Sequence, residues 1–311
     1  MAQFSDTPLP AYNEGRATSG RATTIEAYRS IVQGLTTKEG VSKGLSVRLR
    51  PTDVVVAPYS KSGTTWLQQI AHCLRTRGDM EFDDISRVAP WLETSTDLGL
   101  DLNAEQSANP RVFKSHLDAN RIPTGARYII SCRDPRDVAY SLFKFMEGWF
   151  IEPGSVTLED FIQNSFMVKG GAGIDYWDHL SSWWERRNDP DVLFMAYEHM
   201  KDDLGGTIER VASFMDITLD DELLAITQNH ASLAFMKEHK DKFDDLLMRE
   251  HSANVAGMPV DSETSKVRAG QVGDSRGSMG VEVWAKFDDI WRERITGPLG
   301  FSDYAAMIAT L

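Results

Sequence analysis

Two cysteines in 311 residues leave no basis for a disulfide framework. Cys73 and Cys132 each fall inside an apolar segment, the setting of a buried free thiol, and so point to a reducing compartment. No window approaches the roughly 18 uninterrupted apolar residues of a membrane-spanning helix, so no membrane partner is expected. The opening stretch MAQFSDTPLP lacks a basic start followed by an apolar run; no secretory signal is expected, and a cytoplasmic location is. Positive charge is also scarce, with 33 Lys and Arg against 46 Asp and Glu and a net charge of −13. A general nucleic-acid binder carries the opposite balance, so no nucleic-acid partner is expected. A strongly polyanionic acceptor is disfavoured on the same ground, although a local basic cleft can coexist with an acidic exterior. Paired-cysteine and His-Glu-x-x-His spacings are missing, and no metal site is expected. Neither repeats nor low-complexity tracts occur. The 41% hydrophobic content is enough to build a core in one large domain or two small ones.

What is there centres on Asp53 to Arg75, DVVVAPYSKSGTTWLQQIAHCLR. Val54, Val55, Val56 and Ala57 read as a buried parallel strand, ended by Pro58 and Tyr59. Ser60 to Thr65 form a tight polar loop, and Trp66, Leu67, Ile70, Ala71 and Leu74 recur at helical spacing. Strand, loop and helix in this order aim free backbone N–H groups and the positive end of the helix at one point, where an anion fits. Lys61 supplies a full charge, Gly63 lets the backbone approach closely, and Thr64 and Thr65 offer hydroxyl donors. A plain N-cap explains the same residues equally well. The nucleoside-triphosphate loop needs two glycines flanking four residues before Lys-Ser/Thr, whereas here one glycine follows the lysine. An anion smaller than a triphosphate tail is the better fit.

Further strands are expected at Arg111–Leu117, Arg127–Cys132 and Asp191–Glu198. The first brings His116 to a strand's carboxyl end, where open α/β sheets bind ligands, with Lys114 one strand period away on the same side. The second runs into Arg133-Asp134-Pro135, with Asp134 placed to cap a helix and Pro135 to open it; Arg133 and Ser141 can then offer donors to one anionic group. Helices are expected over Thr23–Gln33, 157–166, Asp175–Arg187, Asp203–Met215, Asp220–Asn229 and Ser232–Lys242, with Trp177, Leu180, Trp183 and Trp184 as core.

The Tyr59-Ser60-Lys61-Ser62-Gly63-Thr64-Thr65-Trp66 segment resembles the 5′-phosphosulfate loop of the cytosolic sulfotransferases, usually Tyr-Pro-Lys-Ser-Gly-Thr-Thr-Trp, with Ser60 in place of proline. Lys114-Ser115-His116-Leu117 resembles the segment that carries that family's catalytic histidine. Arg133 to Ser141 is similar to its Arg-x-Pro-x-Asp-x-x-x-Ser stretch, which binds the 3′-phosphate of the donor nucleotide. Tyr197, with Glu198 and Met200, matches the strand-end tyrosine that contacts adenine, and Ser232 keeps the hydroxyl of a Thr-Ser/Phe segment that touches the nucleotide. Arg268, Gly270, Gly273 and Asp274 match the Arg-Lys-Gly-x-x-Gly-Asp-Trp loop, where Ala269 replaces Lys and Ser275 replaces Trp. The family's Lys-x-x-x-Thr-Val-x-x-x-Glu dimer segment is not reproduced, so a monomer or a different dimer is expected.

The resemblance spans about residues 50 to 290, with the motifs in the family's order. It implies one α/β domain over residues 1–311, with a central parallel sheet flanked by helices and an irregular lead-in over residues 1–22. The implied reaction moves a sulfuryl group from 3′-phosphoadenosine 5′-phosphosulfate (PAPS) to a hydroxyl or amine of a small-molecule acceptor. Adenosine 3′,5′-bisphosphate (PAP) is the other product, and no metal takes part. His116 is the implied general base. Lys61 stabilises the leaving phosphate, and Lys114 orients the sulfuryl oxygens. Lys61, Ser62, Gly63, Thr64, Thr65, Trp66, Arg133, Ser141, Tyr197, Ser232, Arg268, Ala269 and Gly270 are the implied donor contacts. The acceptor pocket is expected from 79–110, 145–174 and 240–265, and Phe143, Phe145, Met146, Trp149 and Phe150 suit an apolar pocket or an ordinary core. A nucleotide kinase and a nucleotide-binding regulator without transferase activity are the alternatives. The first needs the double-glycine loop and a Mg²⁺ carboxylate, and the second has no use for His116.

Overall fold

The computed structural model describes residues 20–168, 175–260, 266–267, 272–273 and 275–311. Helices α1 (Ile25–Gln33) and α2 (Lys38–Leu45) lead into β1 (Val54–Val56) and α3 (Thr64–Thr76). The single turn α4 (Ile85–Val88) precedes β2 (Val112–Lys114), and β3 (Arg127–Cys132) feeds α5 (Pro135–Glu147). After α6 (Leu158–Phe161) and α7 (Tyr176–Glu185), β4 (Val192–Ala196) runs directly into α8 (Tyr197–Asp202). Helices α9 (Leu204–Phe214), α10 (Asp221–His230), α11 (Leu233–Glu238), α12 (Leu246–Ala256) and α13 (Val281–Trp291) follow.

Among the described residues the strands form one four-stranded sheet in the order β2-β1-β3-β4, and every pairing is parallel. Side chains alternate between its faces as the pleat requires. Val55, Phe113, Tyr128, Ile130 and Phe194 join one apolar cluster with Val138 and Phe143 of α5 and Trp177, Trp183 and Trp184 of α7. Val54, Val56, Val112, Ile129 and Met195 join the opposite cluster with Leu67, Ile70 and Leu74 of α3 and Ile208 and Val211 of α9. Both faces are therefore covered, which explains why the strands read as continuous apolar runs. Chain order and sheet order reverse direction at β1 and β3, so the crevice above their carboxyl ends is the natural ligand position. No described helix is long and apolar enough to cross a membrane.

Several boundaries differ from expectation. Helix α1 starts at Ile25 because Thr24 caps it, its side chain accepting from the Ala27 N–H. Ala22, at the end of the expected irregular lead-in, makes a parallel bridge with Ile151. The expected Ser232–Lys242 helix ends at Glu238, followed by a short 3₁₀ turn over Lys240–Lys242. Helix α2 lies in a stretch where no helix was expected, and α12 lies in one expected to be loop. Cys73 and Cys132 are free and buried, as read from the sequence.

Candidate active site

The site begins at the β1 loop. Lys61 takes φ 66° and Gly63 φ 99°, both in the left-handed region, which folds the loop back over the start of α3. A Cβ at Gly63 would stand 3.1 Å from the Tyr197 ring, so glycine is required there for close approach as well as for φ. Gly63 is the N-cap of α3 but supplies no side-chain bond, leaving the first-turn N–H groups without a capping side chain. The Thr64 hydroxyl lines a cavity here, is buried, and has no hydrogen-bond partner among the described residues. Ser62 is fully buried with its hydroxyl likewise unpartnered, and it does not line the cavity.

The β3 end is tied to this loop. Ser131 Oγ donates to the Ser62 carbonyl (2.5 Å), and Arg133 donates to the Lys61 carbonyl (3.1 Å). Asp134 caps α5 by accepting from the Arg136 N–H at 2.9 Å, with Pro135 at its start, as the sequence indicated. The Arg133 guanidinium lies over the Tyr197 ring (4.7 Å), and the Trp66 ring meets Tyr197 edge-on at 5.8 Å. Trp66 Nε1 donates to the Ala231 carbonyl (2.7 Å), which fixes the segment that brings Ser232 to the cavity. The Ser232 hydroxyl also caps α11 by accepting from the Phe235 N–H.

At the end of β2, Trp91 pairs with Lys114 in a parallel bridge, and the Lys114 ammonium sits 3.8 Å from the Trp91 ring centre. His116 packs edge-on to the same indole. Its Nδ1 donates to the Pro58 carbonyl at 2.8 Å, and a carbonyl can only accept, so Nε2 holds the lone pair. Glu93 accepts from the His116 backbone N–H (2.8 Å), and burial pushes its carboxyl up.

A cavity of about 490 Å³ opens among these residues, within the usual range for a small-molecule site. Lys61, Gly63, Thr64, Thr65, Trp66, Arg133, Ser141, Tyr197 and Ser232 line it, as do Lys114, His116 and Trp91. Leu142, Phe145, Met146, Trp149 and Phe150 form an apolar wall, while Phe143 turns instead to pack on Phe161. Arg268, Ala269 and Gly270 lie outside the described residues. Sequence reading missed Lys201 and Lys266 in the lining, and did not single out Asp245 and Met248, although both fall in the 240–265 segment expected to contribute to the pocket. Asp245 belongs to no motif, and Lys266 only opens the stretch that resembles the Arg-Lys-Gly loop without matching its positions; the apolar run Leu246-Leu247-Met248 is the available signal of buried structure nearby.

The electrostatics are unusual. Burial, then Lys266 and Arg133, push the Lys61 ammonium down to about 7. Burial, then Lys266, push Lys114 down to about 7. Burial and then Lys114 hold the His116 imidazole well below its ordinary value. Cations gathered in a partly desolvated space repel one another until an anion arrives. An open α/β sheet with a glycine-bent loop, an uncapped helix start and a cluster of lysines and arginine at its switch point defines an anion-binding protein of the strand-loop-helix class.

Comparison with known proteins narrows the class. A family model described as Sulfotransferase domain matches residues 51–298, so the chain belongs to the sulfotransferase family. It is 32% identical over 264 residues to the rabbit (Oryctolagus cuniculus) amine sulfotransferase, covering 81% of this chain and 84% of that one. Mouse (Mus musculus) sulfotransferase 1B1 is 30% identical over 259 residues, with 79% and 84% covered. Among solved structures, a retinol dehydratase in complex with retinol and PAP superposes with a TM-score of 0.66 at 23% identity, covering 83% of this chain and 86% of that one. Mouse sulfotransferase SULT7A1 complexed with PAP gives 0.64 at 22%, with 84% and 90% covered. The protein is thus an enzyme that transfers sulfur-containing groups, in a family that moves a sulfuryl group from PAPS to an acceptor.

Proposed function

We propose that this enzyme transfers the sulfuryl group of PAPS to a hydroxyl, or an amine, of a small apolar or aromatic acceptor, with His116 as general base. The observation that carries this reading is the His116 ring. Its Nδ1 is committed to the Pro58 carbonyl, which leaves Nε2 as a proton acceptor in a side chain lining the cavity. The donor supplies an activated sulfuryl group and a phosphate leaving group. The partnerless Thr64 hydroxyl, the uncapped start of α3 and the lysines held near 7 fit such an anion.

Lys61, Ser62, Gly63, Thr64 and Thr65 hold the 5′ end, with Ser62 acting from beneath the loop. Arg133 and Ser141 take the 3′-phosphate, and Trp66 and Tyr197 flank the adenine beside Ser232. Arg268, Ala269 and Gly270 are assigned to the same phosphate by their motif alone. His116 Nε2 accepts the acceptor's proton, while Lys61 offsets charge on the leaving phosphate and Lys114 orients the sulfuryl oxygens. Transfer of this kind depends mainly on positioning and charge stabilisation, by analogy with phosphoryl transfer, and these residues supply both without a metal. Leu142, Phe145, Met146, Trp149, Phe150 and Met248 shape an apolar acceptor chamber. The buried thiols fit a reducing, cytoplasmic setting, and residues 1–311 are read as one domain.

The test pairs calorimetry of PAP binding with transfer of labelled sulfate from PAPS to a panel of phenols, aliphatic alcohols and amines. Binding of PAP with transfer to at least one class is expected. Binding without transfer to any class would favour the regulator, and preference for a nucleoside triphosphate with Mg²⁺ would favour a kinase.

A further inference from the structure

Lys266 opens the stretch that resembles the family's Arg-Lys-Gly loop but matches none of that loop's positions, yet it stands in the cavity wall with Lys61, Lys114 and His116. Two contacts place it. Its backbone N–H donates to Asp244 Oδ1 (2.8 Å), and its ammonium pairs with Asp245. Asp245 is buried and Lys266 largely so, with side-chain exposures of 6% and 10%.

Asp245 is not held there by the usual attraction of an aspartate to a helix start. It occupies the N-cap of α12 at φ 57°, in the left-handed region, and its carboxylate makes no capping bond. A carboxylate at that position ordinarily satisfies a first-turn N–H. Here the backbone stays in a sparsely populated conformation and the carboxylate turns to Lys266 instead, the kind of local cost that collects at functional sites. Burial alone would raise the Asp245 carboxyl, but Lys266 and Lys114 outweigh it and hold the group ionised.

An ammonium has three N–H donors, and a single carboxylate does not use them up. Among the described residues the Lys266 ammonium makes no well-aligned hydrogen bond beyond that ion pair. Its charge also reaches the transfer groups. After burial, it is among the causes that lower Lys61, Lys114 and His116. Asp245 balances one cation and leaves Lys61 and Lys114, the lysines whose charges Lys266 opposes, in excess around His116.

We propose that Lys266, held in place by Asp245, is a further anion-binding residue of the transfer centre, and that it engages a sulfuryl oxygen of the donor and not the 3′-phosphate end. The proposal rests on the PAPS reading above. It makes Lys266 a group specific to the sulfuryl, so PAPS, which carries that group, and PAP, which lacks it, should respond differently to its loss.

The experiment is equilibrium binding of PAPS and of PAP, with no acceptor, to the wild-type protein, Lys266→Met and Lys266→Arg. Lys266→Met should weaken PAPS about 10- to 150-fold, as expected for loss of a charge-assisted hydrogen bond, and leave PAP within about twofold. Lys266→Arg should restore most of the difference. Equal losses for both ligands would place Lys266 in the nucleotide grip, and no loss for either would remove it from the site; each result overturns the proposal while the donor reading stands. A wild-type protein that binds neither ligand would overturn both. Thermal melting of each variant checks folding, and Lys266→Gln replaces the Met variant if that one does not fold.

Discussion

At position 116 the decisive fact is which nitrogen is already occupied. With Nδ1 donating to Pro58, the imidazole can only accept a proton at Nε2, and burial, then Lys114 beside it, keep the free ring neutral. His116→Ala should slow transfer by about 10²–10⁴ and leave PAP affinity within a few-fold, because the ring acts on the acceptor. Single-turnover transfer compared with PAP calorimetry is the check, and near-normal turnover would remove the assignment. Arg133 carries a second prediction. Its guanidinium braces the Lys61 carbonyl and lies over Tyr197, so it could serve the fold or the 3′-phosphate. If it serves the phosphate, Arg133→Ala weakens PAP by about 1.5–3 kcal/mol and barely alters adenosine 5′-phosphate. Equal losses for the two nucleotides would assign it to the fold. Residues such as these were legible because each sits in a short motif at a strand's end. Lys266 was not, because it reaches the cavity wall only through packing against Asp245, in a segment separated from it in the chain.

At the scale of elements, the strand-loop-helix units were legible from local chemistry. β-Branched runs gave β1 and β3, and Asp134-Pro135 marked the start of α5. Helix α2 was hidden by Gly40 and Gly44, which look like breakers. The structure shows why they are there: a Cβ at Gly44 would stand 2.0 Å from the Leu92 carbonyl oxygen. Helix α12 was hidden by Arg249 and Ser252, polar residues that are nevertheless buried and hydrogen-bonded. The joint between α5 and the segment before α13 makes a testable device. The buried Asp137 carboxylate accepts from the Gly273 N–H (2.6 Å), the Ser275 N–H (3.1 Å) and the Ser275 hydroxyl (2.7 Å). Ser275, where the family pattern has tryptophan, therefore serves as a tether. Asp137→Ala should cost about 1–3 kcal/mol of stability by leaving buried donors unsatisfied, measured as a shift in the urea midpoint at constant slope. It should also weaken PAP more than adenosine 5′-phosphate, because the tethered segment adjoins the loop assigned to the 3′-phosphate. An unchanged midpoint would mean that the tether is not formed in solution.

The whole molecule sets an acidic exterior, at net charge −13, around a cavity rich in cations. At physiological salt, charges more than about 8 Å apart are largely screened, so the cavity's own charges govern a bound anion. Lys114 is the informative group because it is only 2% exposed. In the free protein it is held down to about 7, against an ordinary 10.5 once unfolded, so between those values the unfolded chain binds more protons. Stability of the unliganded protein therefore rises with pH across that window as far as this group is concerned, and the burial penalty is present in full below about 7. A bound polyanion reverses the balance by favouring the ammonium, so PAP binding at pH 8 should take up protons. Calorimetry in two pH 8 buffers of different ionisation enthalpy should give different apparent enthalpies, and PAP affinity should fall as pH rises above 7. Lys114→Arg, which stays charged across this range, should shrink the buffer difference while retaining a cation. Identical enthalpies in both buffers for the wild-type protein would show that Lys114 is already charged before the nucleotide arrives, and the cavity would then have to balance its lysines without the ligand.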